Sequence, residues 1–302
     1  MSAVPRTAAP WTAERFVADG HGGPLRIRQW GPDDAPAVVF HHGTPSTGAA
    51  IPGGWAAPGE LGIRVISYDR PGYGGSTARA GYAIADGAEW ARRAADAFGV
   101  DAFATMGTSG GGPFAAATAA LAPDRVTRLC ICVGIGPAQA PGFDSRAGML
   151  AETVEEIDAA SRGEAELRAF IDRLGRGEGD LSAWMSQLPA RDRAILGDAA
   201  VQHEEAVEHE EWTTAGVEGW VNDDLAIFER PWGFDLSSIA VPTLLAYGAA
   251  DVLVPLSHGV AYESIIPGAR LSIVPDAGHW LRPEERDLLV WLTRDDGAGS
   301  TR

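Results

Sequence analysis

Apolar residues come in short runs divided by polar and turn-forming segments, and over the first part of the chain strand-like and helix-like stretches alternate. Phe16–Ala18 and Leu25–Trp30 read as a hairpin turning through Asp19-Gly20-His21-Gly22-Gly23. Ala37–His41, Arg64–Tyr68, Ala102–Met106 and Val126–Gly134 are compact apolar runs of strand length. Tyr82–Phe98 and the alanine-rich Pro113–Leu121 have helical composition. This alternation predicts an α/β fold, a parallel sheet with helices on both faces.

The rhythm breaks at residue 137. From there to about residue 235 no strand is predicted, only helical stretches over Met149–Ala160, Glu164–Leu174, Leu181–Leu188, Arg191–Leu196 and Ala199–Trp212. Strand and helix alternate again at Thr243–Tyr247 and Arg270–Val274, and a last helix is predicted over Pro283–Leu292. The expected organisation is a core of residues 1–136 and 236–302, interrupted by a helical cap at 137–235. The polar tail from residue 295 is expected to fray.

Composition narrows the function. With 302 residues, 45% of them hydrophobic, the chain suits one large domain carrying an insertion. No apolar run approaches the roughly 20 residues that span a bilayer. Met1 to Phe16 contains Arg6 and Arg15 with no apolar stretch between them. It reads as a polar lead-in rather than a secretory signal, which makes the cytoplasm the default compartment. A net charge of −17, from 41 acidic against 24 basic residues, would repel a phosphate backbone and serves solubility instead. The expected partner is a small-molecule substrate, with no nucleic acid and no membrane, and with homo-oligomerisation left open. Every basic residue is arginine. Without lysine, Schiff-base and pyridoxal chemistry, the P-loop and kinase lysines and the Ser–Lys dyad are excluded. Cys130 and Cys132, two apart in an apolar run, would share one strand face in poor disulfide geometry, so they read as buried thiols.

The chemistry centres on Gly107-Thr108-Ser109-Gly110-Gly111, a G-x-S-x-G match set between a strand and a helix. That is where a nucleophile elbow belongs: the tight turn holds the serine near positive φ, and larger neighbours than glycine would clash. His279 follows the strand Arg270–Val274, and Asp251 follows Thr243–Tyr247, so both sit in loops at strand carboxyl ends on the rim that carries Ser109. The order Ser, Asp, His fits the same architecture. Among competing acids, Asp276 is too near His279 in sequence and Asp144 falls in the cap. His258 is expected at the surface of a helix, and the run from His203 to Glu211 is expected to be a solvated acidic helix without zinc-ligand spacing. His42-Gly43-Thr44-Pro45 follows the strand Ala37–His41, so the backbone N–H groups of Thr44 and Gly110 are the candidate oxyanion donors.

Together these segments resemble the α/β-hydrolase fold superfamily. The resemblance rests on His42-Gly43-Thr44-Pro45, Tyr68-Asp69-Arg70-Pro71-Gly72-Tyr73-Gly74, the elbow at Ser109, Gly248 to Pro255, and Gly278-His279. Ser109-Gly110-Gly111-Gly112-Pro113 and Pro231-Trp232-Gly233-Phe234-Asp235 look like a large group of bacterial α/β-fold hydrolases. The resemblance implies a mostly parallel eight-stranded sheet with the helical cap over the site. Relatives of the haloalkane dehalogenase and epoxide hydrolase kind carry aspartate at the elbow, whereas Ser109 points to acyl chemistry.

The expected activity is a serine hydrolase, a carboxylic ester hydrolase using Ser109, His279 and Asp251, with no cofactor and no metal. Trp184, Trp212, Trp220 and Trp280 suggest a small to medium, fairly apolar substrate, although packing explains them equally. Alternatives on the same scaffold are an amidase or aminopeptidase, for which the Glu204 to Glu211 run could grip an amine, a C–C bond hydrolase, and a cofactor-free haloperoxidase or perhydrolase. From a different class comes a non-catalytic, hydrolase-like ligand-binding protein.

Overall fold

The computed structural model describes residues 10–138, 140–175 and 181–294. Residues 1–9 of the lead-in and the tail 295–302 lie outside the described residues. Eight strands form one sheet in the order β1-β2-β4-β3-β5-β6-β7-β8. β1 (Ala13–Ala18) and β2 (Pro24–Trp30) make the hairpin, and β2 runs antiparallel to β4 (Arg64–Tyr68). β3 (Ala37–His41), β5 (Phe103–Thr108), β6 (Val126–Cys132), β7 (Thr243–Gly248) and β8 (Arg270–Val274) continue in parallel. The mostly parallel α/β architecture therefore stands.

Helices cover both faces. α1 (Ala57–Leu61) and α11 (Arg282–Thr293) lie on one; α2 (Asp86–Ala97), α3 (Gly111–Leu121) and α10 (Ser257–Ile265) lie on the other. Strand alternation divides the core between them: Val39 packs with Trp90 and Phe114, while Val38 and Phe40 pack with Leu289 and Leu292. Trp90 and Phe114 are fully buried, and truncating either to alanine costs about 3–5 kcal/mol. Cys130 and Cys132 are free, buried and on one face.

Between β6 and β7 the described residues form only helices: α4 (Ala151–Arg162), α5 (Glu164–Gly175), α6 (Leu181–Gln187), α7 (Ala190–Leu196), α8 (Ala199–Ala215) and α9 (Glu218–Asp224). α9 runs on into a π-helical turn, Leu225–Glu229. This insertion has its own apolar cluster, in which Leu167, Phe170 and Val221 pack around Tyr73 of the core. No described helix is long and apolar enough to cross a membrane.

Some local expectations change. α2 begins at Asp86 rather than Tyr82, because the Asp86 carboxylate accepts the Ala83 N–H at 2.8 Å and turns the chain there. β6 stops at Cys132, since Val133 takes φ 43°. α1, α9 and the π turn carry no sequence expectation. His258, expected at the surface, is fully buried. Its Nδ1 accepts the Gly136 N–H at 2.8 Å and its Nε2–H donates to the Ser145 carbonyl at 3.0 Å, so it staples the start of the insertion to α10. Burial holds its pKa down to about 4, which keeps the ring neutral.

Candidate active site

Ser109 stands between β5 and α3 at φ 54°. Its N–H donates to the Cys132 carbonyl at 3.1 Å, and its own carbonyl accepts the N–H groups of Gly112 and Ile135. The backbone is thus held in the left-handed region by bonds on both sides. A β-carbon on Gly107 would stand 2.2 Å from the Gly111 carbonyl oxygen, which is why the turn excludes a larger residue there.

His279 lies in the loop after β8. Its Nδ1 is 2.8 Å from Asp251 Oδ2, in the loop after β7. Asp251 is 6% exposed, and its Oδ1 accepts the N–H groups of Leu253 and Val254 at 2.8 and 2.9 Å. Those bonds turn Oδ2 toward the imidazole and fix the tautomer with Nδ1–H facing Asp251, leaving Nε2 as the free acceptor. Burial pulls the His279 pKa down, but the Asp251 charge and hydrogen bond outweigh it, and the net shift is upward. Ser109 and His279 line one cavity of about 510 Å³. No hydrogen bond joins their side chains, a looseness common before a substrate bridges the two groups.

The loop bearing Thr44 abuts the elbow: a β-carbon on Gly110 would be 2.4 Å from Thr44 Oγ1 and 3.2 Å from the Thr44 nitrogen. Among the described residues neither the Thr44 nor the Gly110 N–H donates to a protein acceptor. The structure therefore brings together all five residues singled out in the sequence.

Two further residues hold this assembly, and both come from the insertion. Asp192 of α7 is fully buried; it accepts the Gly278 N–H at 3.0 Å and the His279 N–H at 2.7 Å, bracing the loop that carries the imidazole. Asp223 of α9 meets the Arg70 guanidinium at 2.6 Å, with both side chains fully buried. It also accepts hydroxyl hydrogen bonds from Thr44, Tyr73 and Tyr82 at 2.7, 2.9 and 2.7 Å. Arg70 itself donates to the carbonyls of His42 and Gly43, both at 2.6 Å. The Thr44 loop is consequently clamped along its length. Burial, and then the Arg70 charge, keep His42 neutral. Sequence reasoning missed both aspartates: one looks like an ordinary first-turn acid, the other lies 153 positions from its arginine.

The insertion also supplies most of the cavity's charge. Glu204, Glu205 and Glu208, with His209 and Trp212, turn one face of α8 into the cavity, and Glu211 pairs with Arg26 and Arg28 of the core. The expectation of a solvated acidic helix holds for most of its surface, where His203, Ala206 and Glu210 are exposed, but Glu204, Glu208 and Trp212 recur at helical spacing on a face that borders the cavity. Glu152 and Glu156 of α4, Asp224 of α9 and Glu285 of α11 also line it. Arg282 is the one guanidinium among the described lining residues, and it is ion-paired with Glu204. Trp184, Trp212, Trp220 and Trp280 all line the cavity, Trp280 edge-on to His279 at 5.5 Å. Burial raises the Glu208 carboxyl to about 7. Among the described residues no three His, Cys, Asp or Glu side chains group as a metal would require.

Comparison with known proteins gives a consistent picture. The alpha/beta hydrolase fold family matches residues 36–285. A non-heme chloroperoxidase of Burkholderia pyrrocinia is 27% identical over 277 residues, 87% of this chain and 91% of that protein. The 2-hydroxymuconate semialdehyde hydrolase of Pseudomonas putida is 26% identical over 269 residues, 86% of each chain. Among solved structures, an esterase from Exiguobacterium antarcticum superposes with a TM-score of 0.69 at 20% identity, covering 93% of this chain and 99% of the other, a likeness of fold.

Proposed function

We propose, from the premise that this chain belongs to the α/β-hydrolase fold family, that it is a serine hydrolase cleaving an ester-type acyl bond, with the insertion at 137–235 as its lid. The observation that carries the reading is the Asp251–His279 pair sharing one cavity with a serine held at φ 54° beside two unpaired N–H groups. In this scheme Ser109 Oγ attacks the acyl carbonyl while His279 Nε2 takes its proton. Asp251 stabilises the imidazolium, and the Thr44 and Gly110 N–H groups receive the oxyanion. Collapse of the tetrahedral species expels the alcohol, which takes the proton from His279, and leaves an acyl group on Ser109. Water, deprotonated by the same imidazole, then releases the acid and restores the serine.

The test is a panel of chromogenic acyl esters combined with mass detection of a covalent adduct from a fluorophosphonate probe. The expected result is one adduct, on Ser109, and ester turnover that the probe abolishes. An adduct of equal yield on Ser109→Ala would overturn the nucleophile assignment.

The chloroperoxidase relative favours a second reading, in which hydrogen peroxide replaces water at the acyl-enzyme and releases a peracid. Peracid formation from a carboxylic acid and peroxide would distinguish it. The Pseudomonas putida relative favours a third reading, C–C bond hydrolysis, against which the charge of the cavity weighs. The relative's muconate is a carboxylate, whereas this cavity offers carboxylates and one guanidinium already paired.

A further inference from the structure

α9 ends in two consecutive aspartates in opposite circumstances. Asp223 is saturated by Arg70 and three hydroxyls. Asp224 is 2% exposed and lines the cavity, yet its Oδ2 accepts no hydrogen bond from any donor among the described residues. The Glu156 carboxyl lies against it. Glu156, half-buried, accepts the Trp220 indole N–H on Oε1 at 2.5 Å. Trp220 meets Trp212 edge to face at 5.8 Å, and both rings line the same wall.

A buried carboxyl with one unpaired oxygen, set against a second, half-buried carboxyl, is costly unless a cation or a proton lies between them. A divalent metal would demand more oxygen ligands than this pair provides, and no third His, Cys, Asp or Glu joins it among the described residues. An ammonium suits it better: its N–H groups satisfy the empty Asp224 and Glu156 lone pairs, and the indole faces attract its charge. The rest of the cavity agrees. The other titratable groups facing it are Glu152, Glu204, Glu205, Glu208, Glu285 and the two histidines, with Arg282 already taken by Glu204.

We infer that the pocket formed by Glu156, Asp224, Trp212 and Trp220 binds a protonated amine carried by the substrate, while the acyl carbonyl lies at Ser109. The inference rests on the acyl-hydrolase reading and names the substrate class for that site. In the free protein a shared proton takes the amine's place: burial, and then the Glu156 carboxylate, lift the Asp224 carboxyl well above the usual range.

The test uses 4-nitrophenyl esters of matched chain length whose acyl ends are ammonium, methyl or carboxylate, across a series of lengths. At the best length the ammonium ester should exceed its methyl partner in kcat/KM by about tenfold or more, mainly through KM. The carboxylate ester should be the poorest. In Asp224→Asn and Glu156→Gln the ammonium-to-methyl ratio should collapse towards unity. A ratio of one in the wild type, or a ratio that survives in both variants, overturns the inference and leaves the pair as a proton-sharing structural contact. Calorimetric titration of the wild type with n-alkylamines and n-alkanols separates this from the hydrolase reading. If no ester is turned over, that reading falls, and selective binding of the amine, lost in Asp224→Asn, upholds the pocket. Equal binding of amine and alkanol overturns it.

Discussion

The two walls of the cavity handle charge in opposite ways. The sheet-side wall does its work with backbone and with charges already matched: Ser109 at a bonded turn, two N–H groups, and an imidazole whose carboxylate is fixed by Leu253 and Val254. The insertion-side wall presents carboxyls in excess. Asp223 and Asp224 stand at the boundary, the first spent on holding the Thr44 loop and the second lining the cavity with Oδ2 unpaired and Glu156 against it. A buried carboxylate saturated with donors is a structural part, whereas a buried carboxyl with an unpaired oxygen calls for a further partner. In the proposed reading, reaction type and substrate choice fall to different parts of the chain.

The comparison can be broken at several points. The largest effect is expected on the sheet side: Ser109→Ala should lower kcat by about a millionfold in a chromogenic ester assay, with the circular dichroism unchanged. Retained turnover would remove the sheet-side wall from the chemistry. Next, Asp223→Asn strands the buried Arg70 charge and should cost about 3–5 kcal/mol, read as a lower denaturant midpoint. Asp192→Asn leaves one carbonyl for two backbone donors, an expected loss of about 1–3 kcal/mol, with kcat falling more than KM rises. Acidification comes next. His279 must be neutral to accept a proton, and its pKa is shifted upward, so kcat/KM should fall as pH drops through a midpoint above the ordinary value of 6.5. A profile flat to pH 5 would exclude His279 as the base. The smallest effect belongs to Asp224→Asn, which removes a carboxyl from a crowded pair and should keep stability within about 1 kcal/mol or raise it. A loss as large as that of Asp223→Asn would erase the distinction between the neighbours.

Much of the fold was legible because the signals are local. β3, β4 and β8 run over the residues their apolar runs predict, and the hairpin differs only by extensions of its strands. The elbow, Asp251 and His279 were legible for a related reason: strand ends in a parallel sheet deliver their loops to one rim. What escaped depends on distance or on orientation about a helix axis. Arg70 and Asp223 meet across 153 positions, and nothing in either neighbourhood announces the other. His258 looks like any helical histidine until Gly136 and Ser145 close on it. The α8 acids were read by composition, as solvated charge, although Glu204, Glu208 and Trp212 fall four apart on one stripe. Counting their phase would have placed them over a common surface.

The bonds from Asp192 to the His279 loop and from Asp223 to the Thr44 loop bear on how substrate traffic is timed. An insertion tied at those points cannot swing aside as a rigid flap while the His279 and Thr44 loops stay in place with these bonds intact. Opening that wide would dismantle the machinery with each turnover. A substrate would then pass through the mouth of the cavity, aided by side-chain rotation there, a faster class of movement than the swing of a domain. Hydrogen exchange at the Gly278 and His279 amides would accordingly report the insertion and the His279 loop as one cooperative unit.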